Sequence, residues 1–178
     1  RCAVGGLERL ELLDALASPF ARFDVDEKAA EKADAEAARL ARLEALGSET
    51  REAYIVGGRD PQRDWLGRLP AGSASGAFLA TLLPLLTPLC ARRAGAADYV
   101  SHVIALHEAM QVRAVCRADT GPGAAMRAEA EHEWRNLLAQ MQAEFARAGN
   151  PLLPGADVLR GLVEQARTRA VRAPELAD

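Results

Sequence analysis

Aromatic side chains make up only 4% of the 178 residues, and β-branched residues never gather into a run that alternates apolar with polar. That shortage excludes a sandwich, a barrel or any large sheet. Tyr54-Ile55-Val56, just before Gly57-Gly58, is the one short strand candidate. Cysteine is scarce too: Cys2, Cys90 and Cys116 form an odd set with no Cys-x-x-Cys pair, which argues against a disulfide framework and for a reducing, cytoplasmic setting. Nothing at the N-terminus resembles a signal peptide, although a cleaved one would leave no trace. The chain opens on Arg1 and not on methionine, so a fragment of a longer protein is one expectation.

Lysine is nearly missing, since Lys28 and Lys32 are the only two among 22 basic residues. With abundant alanine, this skew reads as the composition of a G+C-rich, bacterial-type genome and not as an arginine-based binding device. The net charge of −3 gives no general attraction to phosphate backbones or anionic lipid. Arg160, Arg167, Arg169 and Arg172 sit where a helix C-terminus favours cations, and no aromatic residues interleave them, so no nucleic-acid partner is expected.

What is present is helical pattern. An apolar content of 49% and a charged content of 26% match a globular domain, and a chain of this length buries roughly 70% of its unfolded surface. The expectation is therefore a soluble, single all-α domain over 1–178, a bundle of about six to seven helices. Leu7, Leu10, Leu13 and Leu16 mark a first helix that stops before Ser18-Pro19. Asp24 or Asp26 can cap a long second one with a narrow stripe of Ala33, Ala37, Leu40, Leu43 and Leu46, which Gly47-Ser48 can interrupt and Gly57-Gly58 should end. Asp60-Pro61 opens a short turn through Trp65. Helices are further expected over about 98–118, about 124–148 and about 157–172, with the first two antiparallel across Gly121-Pro-Gly123.

The longest stretch without charge runs from Leu69 to Ala91. A spanning helix needs about 20 consecutive apolar residues. Here the first third is Pro-Ala-Gly-Ser-Ala-Ser-Gly, and Pro84 and Pro88 interrupt the rest, so no membrane span is expected. The run reads instead as a central helix packed on all sides, capped by Ser73 or Ser75 and kinked at Pro84.

Several chemistries can be weighed residue by residue. Glu129 and His132 have the Glu-x-x-His spacing of carboxylate-bridged metal bundles. At 100° per residue, however, they lie about 140° and about 160° from Trp134, the centre of an apolar stripe of Met126, Ala130, Leu137, Leu138, Met141 and Phe145. Both should therefore face solvent, and a metal-dependent enzyme is only a distant alternative. Gly72-Ser-Ala-Ser-Gly76 has Ala74 where a nucleophile elbow needs serine, no glycine cluster forms a phosphate loop, and no triad is supported.

His107 falls within the apolar arc of Tyr99, Val100, Val103, Leu106, Met110 and Ala114, with Gln111 at its edge. A histidine so placed is most simply a core residue bonded to a carbonyl. Its functional alternative is a polar anchor, or a pH-sensitive contact with a pKa lowered by burial. The first expectation for function is thus a non-catalytic interaction or regulatory domain, working on a protein partner or a second copy through a surface that includes the 26–46 helix. The alternative is a sensor holding a small, mostly apolar ligand beside Pro84, His107, Met110, Gln111 and Trp134. Neither needs a cofactor or a metal.

Overall fold

A computed structural model describes residues 7–18 and 32–172, and the chain is all-α with one small antiparallel ribbon. Contacts group the chain into two compact units, Arg1–Cys90 and Ala91–Asp178.

In the first unit α1 (Arg9–Ala17) packs on α2 (Lys32–Glu52). The caps expected at Asp24 or Asp26 lie outside the described residues. Gly47-Ser48 does not interrupt α2, and a side chain on Gly47 would only touch Leu13. The Arg39 guanidinium reaches across to the Leu16 carbonyl at 3.0 Å, closing the end of α1 that has no lysine or arginine of its own.

Tyr54-Ile55-Val56 does not form a strand. Tyr54 is left-handed at φ 53, Ile55 is buried, and Arg9 N–H donates to the Val56 carbonyl at 2.9 Å. The chain then passes so close to Leu7 and Glu8 that a Cβ on Gly57 would lie 2.6 Å from the Leu7 carbonyl oxygen. Glycine at φ 136 is what admits that approach. Asp60 caps the next turn, accepting from Gln62 and Arg63 amides at 3.0 and 2.9 Å, and Pro61 follows as expected. The turn delivers Trp65 into the core with its indole N–H on the Gly58 carbonyl at 3.0 Å.

The uncharged run forms α3 (Ala74–Leu86), with Ser73 as its cap on the Gly76 amide. It is not packed on all sides. Ser75, Phe78, Leu79, Leu82, Leu83 and Leu86 are buried, whereas Ala74, Ala77, Ala80, Thr81 and Pro84 are exposed. The large residues recur at helical spacing and take the inner side, and the small ones are left outside. Pro84 remains inside the helix, and the chain tightens only after it, at Thr87–Cys90, where Thr87 Oγ1 donates to the Leu83 carbonyl at 2.7 Å.

The second unit is built on α4 (Ala96–Ala109), α5 (Val112–Ala118), α6 (Ala124–Arg147) and α7 (Gly155–Arg172). Strands β1 (Arg93–Gly95) and β2 (Leu152–Pro154) pair antiparallel, with Ala94 opposite Leu153. No pattern in the sequence announces them. The helix expected over 98–118 is two helices, because Gln111 adopts φ 51, ψ 28 between them. A left-handed non-glycine residue costs roughly 1–2 kcal/mol, so the packing of both halves against α6 must compensate. At the start of α7, a Cβ on Gly155 would lie 2.6 Å from the Tyr99 ring, and its absence lets α4 and α7 close together.

Candidate functional site

Four of the five residues expected at a ligand site, His107, Met110, Gln111 and Trp134, belong to the second unit, and all four are half-buried. Pro84 belongs to the first unit and is exposed on the outer side of α3. The geometry of the second unit explains how the four are placed. Gln142 Nε2 donates to Ser101 Oγ at 2.8 Å near one end, and Cys116 faces Arg127 near the other, so α6 runs antiparallel to α4 and α5. Met110 closes α4, and Gln111 turns the chain into α5.

The face that α6 buries is centred where expected, but not all of its residues are the expected ones. Leu137, Leu138 and Met141 are buried, but Met126 and Ala130 are exposed and Glu131 is buried in their place. At 100° per residue the buried side chains still centre within about 10° of Trp134. Glu131 lies only about 60° from Trp134, so the same arithmetic would have found it. Its charge hid it. Glu129 and His132 face solvent as expected, and His132 shares a 3.1 Å contact with Asn136. Among the described residues no group of three histidine, cysteine, aspartate or glutamate side chains could hold a metal ion.

Glu131 is the centre of a polar cluster. Its side chain is only 6% exposed, and Arg135, one turn on, places Nε 2.8 Å from Oε1. The N–H is not aimed at that oxygen, so the pair is held by charge and neither atom has a hydrogen bond to a described residue. His107 faces this pair from α4. Burial pushes its pKa below the ordinary histidine value. Glu131 and Glu108 oppose that shift, and Arg135 adds to it. No described residue hydrogen-bonds its imidazole, so the carbonyl partner expected for a simple core histidine is not there.

Cys116, the buried residue of α5, has its thiol pushed up, first by burial and then by the Glu131 and Asp119 carboxylates, against the pull of Arg127. It is a thiol and not a nucleophilic thiolate. Asp119 is occupied by the Gly121 amide and by Arg127, which closes the turn into α6. The arrangement can hold or release a proton at His107. It offers no acid–base pair with an activated nucleophile.

No protein-family model, curated protein or solved structure matches the chain.

Proposed function

We propose that the chain is a non-catalytic helical interaction module that works through protein–protein contacts on the α1–α2 face of its first unit. The observation that carries the reading is the exposure of apolar side chains there. Leu40, on the small-residue stripe of α2, is 53% exposed, and Ala37 beside it is exposed too. Leu10 on α1 is 68% exposed, and the loop after α2 presents Tyr54 and Val56. Apolar side chains scattered singly over a surface need no explanation, but Ala37 and Leu40 are neighbours on one face of α2, and that exposed stripe is what supports a place for a partner. Arg39 holds α1 against α2, so the face is preformed and binding would not have to order it.

The test places a photo-reactive amino acid at position 40 and, as a control, at exposed Glu164 on α7. A protein cross-link is expected at 40 and not at 164. In parallel, Leu40→Glu is expected to abolish that contact while changing thermal stability by less than about 0.5 kcal/mol, as for a surface site. A large loss of stability in L40E, or equal cross-linking at both positions, overturns the reading.

A further inference from the structure

The join between α4 and α5 is set by packing and not by local sequence. Residues 96–118 contain no glycine or proline and read as one helix, yet Gln111 turns the chain through a left-handed conformation. One turn earlier, in the last turn of α4, stands His107. The charged groups that face it are Glu131 and Arg135 from α6 and Glu108 from its own helix. Glu131 is already paired with Arg135 at 2.8 Å, so a second cation beside them meets a guanidinium as well as a carboxylate. The half-buried ring has no hydrogen bond to a described residue, so none of them stands ready to accept the new N–H. Burial and Arg135 therefore outweigh the two carboxylates, and the packed arrangement disfavours the imidazolium.

We propose that His107 and the left-handed Gln111 form a proton-operated hinge: charging the imidazole loosens the last turn of α4 from α6 and lets the chain across Gln111 relax toward the continuous helix its sequence favours. The two arrangements differ in the backbone of Gln111 and in how α5 packs on α6. A proton biases them only because it binds the loosened form more tightly. Loosening would also release Cys116, the residue by which α5 is buried. The hinge lies in the second unit and the docking face in the first, so either can fail without the other.

The experiment follows the full chain by NMR between pH 8 and pH 5. The His107 ring proton is expected to titrate with a midpoint below the ordinary histidine value of about 6.5. The amides of Val112 to Cys116 should shift with that same midpoint. Hydrogen exchange at the Val115 amide, which donates to the Gln111 carbonyl at 3.1 Å, should rise at least about tenfold over the same range after correction for intrinsic rates. In His107→Gln the α5 amides should lose that response. The hinge is overturned if the α5 amides show no midpoint or a different one, if His107 titrates at or above the ordinary value, or if H107Q responds as the wild type does. Should H107Q not fold, the wild-type midpoints decide alone.

Discussion

Asn150 shows how one side chain can do the work of a missing motif. Its Oδ1 accepts from the Ala97 amide at 2.8 Å, its Nδ2 donates to Asp98 Oδ2 at 2.8 Å, and its backbone is left-handed at φ 52. It thus ties the end of α6 to the start of α4, whose own cap position is Gly95 and contributes no side chain. Gly95 has to stay bare, since a Cβ there would lie 2.4 Å from Asn150 Nδ2. Asn150→Ala is expected to destabilise by about 2 kcal/mol in urea unfolding, from the lost cap and the strained backbone together. A loss below about 0.5 kcal/mol would show that water replaces the tie. The sequence showed Gly149-Asn150-Pro151 as a stop, which it is. The partner 53 positions earlier was invisible, because a side-chain bond to a distant amide leaves no periodic trace. His107 and Glu131 divide in the same way. Each one's position on its helix follows from 100° arithmetic, but their meeting depends on how α4 and α6 are set against each other.

At the scale of elements, helix type and most ends were legible, and helix faces less so. Ser73 and Asp60 cap where expected, and the stops at Ser18 and Gly149 fall where the residue types place them. In α3 the pattern misled, because a run of apolar residues without a polar side does not say which side is inward. Size decided it, with leucines inside and alanines outside. Pro84 then stands on the exposed side with no N–H for the Ala80 carbonyl. Pro84→Ala should restore that bond without losing core contacts, and is expected to raise stability by about 1–2 kcal/mol, reduced by the greater freedom of the unfolded chain. A thermal melt that shows P84A to be destabilised would mean that the proline shapes the following turn at Thr87–Cys90. The break at Gln111 was not legible at all. Every residue from 96 to 118 tolerates a helix, and only burial of Cys116 and the packing on α6 select the bent path.

At the scale of the whole molecule, each compact unit carries its own buried leucines: Leu79, Leu82 and Leu83 in the first, Leu137, Leu138 and Leu162 in the second. The fragment 91–178 is therefore expected to unfold cooperatively by itself in circular dichroism. Its stability should also depend on pH with a definite sign. A histidine whose folded pKa is lowered leaves the unfolded chain binding more protons, so stability is full above about pH 6.5 and falls as the pH drops through that value toward the folded pKa. A fragment with a flat melt, or one that gains stability between pH 7 and pH 5.5, would contradict this. Composition and periodicity by themselves determined that the chain is all-α, which residues start and stop several of its helices, and that no helix among the described residues is long and apolar enough to cross a membrane. These are local properties, settled by propensity, capping and the count of consecutive apolar residues. The grouping into two units, the β1–β2 ribbon, the bend at Gln111, the pairing of buried Glu131 with Arg135 facing His107 and the exposure of Leu40 were decided only by the tertiary structure. Each depends on which surfaces meet, and the free energies involved, roughly 1–2 kcal/mol apiece, are small enough for packing to override what the local sequence prefers.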